Sequence, residues 1–225
     1  MPRWGMATIH RTTMTPTKLE LLAGWLPRQP WYRGTGRLPA LTRVGGFRLD
    51  DPAGEVGIEC IVVSDGTDGG ATTYFVPLAY RGAPAAGAAD GLVGTSEHGV
   101  LGTRWIYDAA HDPVAVAQLL ALIGGRAEAQ HQDESDTPDP SVGRHSAASE
   151  RLVGGSPLRV EHTADGRTTI AVEPADGAPA DRPRFLDLLR RPVPGAEHDP
   201  ADGCVEIGWV RPDGGTARGR VAVLR

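Results

Sequence analysis

Trp25, Arg28, Trp31, Tyr32, Arg33 and Arg37 all fall in the segment WLPRQPWYRGTGR. Flat indole and phenol faces stack on sugar rings, and a guanidinium donates in pairs to carboxylate or phosphate. The same residue types anchor protein partners. The segment therefore supports two binding chemistries, protein contact first and carbohydrate second. A purely structural use stands beside them: Trp25 and Trp31 pin a helix to a sheet while Arg33 and Arg37 cover a rim.

Other constellations carry less. His98 and His111 have no recognised zinc spacing between them, His10 on a leading strand is a third candidate whose geometry nothing fixes, and Cys60 and Cys204 lie far away in sequence. No metal and no cofactor is expected. Asp50, Asp51 and Glu55 flank one turn, and Asp65 and Asp68 another, where acids are ordinary. Glycoside chemistry needs two carboxylates across a cleft, and Glu59 is the single acid inside its strand. Ser64, Ser96 and Ser156 lack a nucleophile elbow. Gly34, Gly36, Gly45 and Gly46 are not followed by the lysine and helix start of a phosphate cradle. Arg28, Arg33, Arg37 and Arg43 have no acid between them, but the net charge is -5 and no nucleic-acid reader motif is present. Neither nucleic acid nor membrane is an expected partner.

The elements that must position these residues are short. Gly and Pro number 30 and 19 in 225 residues, so turns are frequent. Lys18 is the only lysine, and this arginine usage also fits a GC-rich genome. After a leading strand around Ala7–His10, Thr17 and Glu20 form a capping box for a helix carrying Leu19, Leu22 and Leu26, which Pro27 ends. Phe47 and Leu49 suggest a strand. Val56, Ile58, Cys60 and Val62 alternate with Ile61 and Val63 on the other side, which predicts a strand buried on both faces. Thr72–Tyr80 is the next strand, with Pro77 pointing to an edge or a bulge. His98–Tyr107 reads as one strand. Asp112 and Pro113 start a second helix with a stripe of Val114, Ala117, Leu120 and Ala121.

Residues 127–149 are polar and read as a mobile linker or a surface loop. Beyond 150, strands are expected at Leu158–Val160, Thr168–Val172, Cys204–Val210 and Arg218–Leu224, with hairpin turns at Asp165-Gly166 and Asp213-Gly214-Gly215. Arg184–Arg191 reads as a helical segment. The division expected is 1–126 as a first domain, 127–149 as the connection, and 150–225 as a β-rich extension docked on the first part. Whether its strands join the first sheet stays open. Cys60 and Cys204 are expected as buried free thiols in a reducing cytoplasm.

LELLAGWLPRQPWYRGTGR, residues 19–37, resembles the start of the maltokinase N-terminal cap. Glu55–Val63 resembles its first long strand, Thr73–Tyr80 with its Tyr-x-Val-Pro-Leu order the strand after it, and Gly102–Pro113 the approach to its closing helix. The resemblance spans about residues 7–125. It points to a group of actinobacterial stand-alone cap-like proteins, some labelled 1,4-alpha-glucan branching protein. It implies an α+β fold: a curved antiparallel sheet with two short packing helices, here with extra C-terminal strands. In maltokinases the cap precedes a two-lobed kinase that supplies ATP binding and the catalytic aspartate. This chain has no His-x-Asp loop with a downstream Asn, and Gly34-Thr35-Gly36-Arg37 replaces the glycine-lysine turn. The resemblance thus implies an accessory protein without catalytic residues, set in glucan or aminosugar metabolism; the alternatives are a weak carbohydrate-binding module using the Trp25–Arg37 segment or a small enzyme of unrecognised type. Its implied partners are a sugar kinase or glucan enzyme, or a second copy of the chain.

Overall fold

The computed structural model describes residues 14–34, 36–66, 70–134, 136–146, 155–174, 184–195 and 202–225. The leading strand expected around residues 7–10, His10 and Asp68 lie outside them.

Among the described residues, two short helices and two antiparallel sheets build the α+β fold. The first sheet is curved and partly closed. It holds β1 (Met14–Thr15), β2 (Leu41–Leu49), β3 (Gly57–Asp65), β4 (Thr72–Arg81), β5 (Leu92–His98) and β6 (Gly102–Asp108), in the order β1-β5-β6-β4-β3-β2. The second holds β7 (Gly143–Ser146), β8 (Gly155–Thr163), β9 (Arg167–Pro174), β10 (Arg184–Leu189), β11 (Gly203–Val210) and β12 (Thr216–Leu224), in the order β7-β11-β12-β10-β9-β8. The C-terminal strands therefore form their own sheet and recruit β7 from the polar stretch before them.

Local signals place both helices. In α1 (Lys18–Trp25) the Thr17 side chain accepts from Glu20 N–H while the Glu20 carboxylate accepts from Thr17 N–H. In α2 (Pro113–Ile123) Asp112 accepts from the Val114 and Ala115 amides, with Pro113 at the first helical position. The two helices take opposite faces of the first sheet. Ile61 and Val63 of β3 pack with Leu22, Trp25, Leu26 and Trp31 on the α1 side. Ile58, Cys60 and Val62 face the other way, into a core shared by α2 and by Ile170, Leu186, Val205 and Val221 of the second sheet.

Three expectations need correction. The buried residues of α2 are Ala115, Val116 and Leu119–Ile123, while Val114 and Ala117 are half-exposed. A one-sided stripe fails because α2 meets β2, β7, β8 and β11, strands of both sheets. His98–Tyr107 is not one strand: His98 ends β5, a turn follows, and β6 starts at Gly102 with φ 70° and pairs back on β5. Arg184–Arg191 is strand β10 with a bend, since pairing with β9 and β12 overrides a helix-compatible leucine spacing. Pro77 lies at a local edge, as expected: β4 pairs with β3 through this point but with β6 only from Leu78 to Arg81, so the missing N–H falls just before that ladder starts.

The Gly45-Gly46 pair marks where the sheets cross. A Cβ on Gly45 would lie 2.9 Å from the Gly208 carbonyl oxygen of β11, and one on Gly46 (φ 135°) would lie 2.2 Å from the Cys60 carbonyl oxygen. Around Ala129 and Gln130 the chain runs along β2 of the first sheet, before β7 joins the second. Ala129 is buried, and Arg48 and Gln130 exchange backbone hydrogen bonds of 2.8 and 2.9 Å. Cys60 and Cys204 are buried free thiols, as expected.

Candidate functional site

The aromatic segment folds inward. The helix ends in a 3-10 turn at Leu26–Arg28 and the chain then re-enters the core. Trp31 is fully buried and Trp25 is 4% exposed, with their rings edge to face at 5.7 Å. Tyr32 is half-buried, and its hydroxyl donates to Asp65 at 2.6 Å. The Arg33 amide donates to the Tyr74 hydroxyl at 3.0 Å, and its guanidinium donates to the Ala164 carbonyl at 3.0 Å, in the β8–β9 turn. Arg28, Arg33 and Arg37 are exposed, and Leu38 is 74% exposed. The structure thus brings Trp25, Trp31 and Tyr32 together within the core and separates them from the arginine rim. Neither indole offers a face to solvent.

A different set of side chains converges at the seam between the sheets. Asp108 ends β6 and accepts from Ala110 N–H at 3.2 Å, capping the 3-10 turn Ala109–His111. Three residues per turn put Asp108 and His111 on one side of it. Across the seam stand His162 of β8, Thr168 of β9 and Arg190 just past β10. Arg190 is fully buried: its Nη2 donates to both oxygens of Asp108 at 2.8 and 2.6 Å, and its Nε to the Thr168 hydroxyl at 2.8 Å. The guanidinium also lies over the Trp31 ring, 5.1 Å from its centroid. The Arg190 carbonyl accepts from Phe75 N–H at 2.9 Å, the backbone link between the sheets at this point.

His162 Nδ1 lies 2.9 Å from the Thr168 hydroxyl, and its Nε2 lies 3.4 Å from His111 Nε2. Asp108, His111 and His162 each offer a ligand atom within 4.8 Å of the others. His111 gains its place from Gly91, where a Cβ would fall 2.5 Å from the His111 Cβ. Burial, then the Arg190 charge, pushes His162 down to about 4, against the opposing pull of Asp108. Burial alone would raise the Asp108 carboxyl, but the charge and hydrogen bonds of Arg190 hold it below the usual carboxylate range.

The second polar cluster faces α1. Glu59, nearly buried, accepts from Lys18 Nζ at 2.5 Å and from the Tyr80 hydroxyl at 3.0 Å. It borders a cleft of about 460 Å³ shared with Met14, Leu19 and His98. His98 therefore lies on another part of the sheet from the histidine pair. Of the turn acids, Asp51 is structural: it accepts from the amides of Ala53, Glu55 and Val56.

Sequence reasoning missed His162, Thr168 and Arg190, and took Asp108 only as part of a resemblance. No local signal joins residues from β6, β8, β9 and the end of β10. The one available hint was an arginine placed directly after Leu188-Leu189, in a segment otherwise rich in large apolar residues.

Residues 25–112 match the maltokinase N-terminal cap domain. The match runs from Trp25 to Asp112, the cap of α2, and so covers β2–β6, a narrower span than residues 7–125. Asp108 and His111 lie within it, and His162 and Arg190 beyond it. No curated protein matches the chain.

Proposed function

We propose that this protein is a non-catalytic accessory module that acts by contact with an enzyme of glucan or aminosugar metabolism, a sugar kinase foremost. One observation carries the reading. The part of the chain similar to a known domain is similar to a maltokinase cap, and the described residues beyond α2 build a second β-sheet packed into the same core. A cap is a part that sits beside catalytic machinery, so contact is the property to carry over.

The surface proposed for contact is the rim of Arg28, Arg33 and Arg37 with exposed Leu38. Three exposed arginines and an exposed leucine within one short stretch of chain suit an acidic partner surface. The burial of Trp25 and Trp31 weighs against carbohydrate stacking on this segment. The test is copurification of the full chain from native lysate, with the retained proteins identified. A sugar-phosphorylating or glucan-processing enzyme should be retained, and the Arg28→Glu/Arg33→Glu/Arg37→Glu variant should lose it at least tenfold while its circular dichroism stays unchanged. Saturable binding of maltose, glucosamine or glycogen without any protein partner would replace the proposal with a carbohydrate-binding role. Self-association in sedimentation, lost in the same variant, would make the partner a second copy.

A further inference from the structure

We propose that Asp108, His111 and His162 form a site for a divalent transition cation of the zinc class, which ties the first sheet to the second. The distances carry this. Zinc–imidazole bonds of about 2.0–2.1 Å at a tetrahedral angle hold two ligand nitrogens roughly 3.3–3.4 Å apart. His111 Nε2 and His162 Nε2 stand 3.4 Å apart, nitrogen facing nitrogen, which is long for a hydrogen bond and right for a shared ion. Two imidazoles and one carboxylate make a donor set of intermediate softness, suited to zinc and unsuited to magnesium or calcium.

The surroundings fit the same use. Thr168 stands 2.9 Å from His162 Nδ1, so Nδ1–H donating to that hydroxyl leaves the Nε2 lone pair toward His111. Asp108 Oδ1 accepts from Arg190 and Ala110, whereas Oδ2 accepts from Arg190, and a carboxylate oxygen has room for a second partner. That oxygen takes the ion directly or through a bound water. Both histidines are half-exposed, so the ion has a path in and a position open to solvent. The Arg190 charge opposes a cation. The site therefore binds more weakly than a closed four-ligand zinc site and is selective by geometry.

The test uses the untagged full chain, stripped with a chelator and dialysed against cobalt(II) as the optical probe. One equivalent should bind with the visible absorption of a low-coordinate nitrogen/oxygen site, and zinc should displace it. His111→Gln and His162→Gln should each abolish the band, and His131→Gln and His145→Gln should retain it. Imidazole nitrogen spectra of the wild-type chain titrated with zinc give a readout that needs no variant: the His111 and His162 signals should shift together. Absence of stoichiometric uptake, equal uptake by the His111→Gln/His162→Gln double variant, or zinc shifts confined to other histidines would each overturn the proposal.

Discussion

Two buried aspartates show how differently the halves of this molecule handle charge. Asp108, at the seam, is matched with an arginine as buried as itself: the side chains are 1% and 0% exposed. Asp187, in β10, is equally buried, yet its partners Arg167 and Arg225 are 41% and 48% exposed. The seam pair holds both charges out of water. The β10 cluster lets two long side chains reach in from the surface, and Thr169 donates a further hydrogen bond at 2.6 Å. When a buried pair loses one partner, the other charge is left uncompensated; when a rim partner is lost, water and a second arginine remain.

The largest effect should come from splitting the seam pair. Arg190→Met leaves Asp108 alone in the core and should cost about 3–5 kcal/mol in urea unfolding. Adding Asp108→Leu should restore much of that loss, because an apolar pair of similar volume removes the stranded charge. If the double variant is no better than Arg190→Met, the Asp108–Arg190 pair is not what the seam depends on.

Asp187→Asn should cost less, about 1–3 kcal/mol, and its cost should depend on acid. Burial alone would raise the Asp187 carboxyl, but hydrogen bonds from Arg225 and Thr169 and the charges of Arg225 and Arg167 hold it below its ordinary 3.8. The unfolded chain then binds the proton more readily. The stabilisation is complete above about pH 3.8 and is lost as pH falls through the lower folded value. Urea midpoints of wild type and Asp187→Asn should run in parallel at neutral pH and converge in strong acid; divergence on acidification would contradict the assignment. Smallest of all should be Asp133→Asn, which breaks the exposed pair with Arg43 at 3.0 Å. It should shift stability by less than about 1 kcal/mol, and 1 M salt should erase the difference.

What was legible in the sequence had short-range causes. The Thr17/Glu20 box, Asp112-Pro113 and the Asp-Gly turns each act over a few residues, and each appears where expected. The two-faced burial of β3 was legible because both alternations lie in one run. β10 was not legible: Phe185, Leu186, Leu188 and Leu189 fit a helix stripe as well as a strand, and only its neighbours decide. The histidine pair was hidden for the same reason, since 51 residues separate His111 from His162. The tryptophans misled in the opposite sense. An aromatic and arginine segment reads as surface, but a fully buried arginine from the second sheet already lies over the Trp31 ring.

The hydrogen bond from Phe75 to the Arg190 carbonyl has a consequence for anyone cutting this gene. A fragment ending after α2 would lose the acceptor for that amide, the counter-charge of Asp108 and the cover over α2 at once. Such a fragment should precipitate when made by itself and be rescued when the remaining piece is co-expressed, as split reporters are.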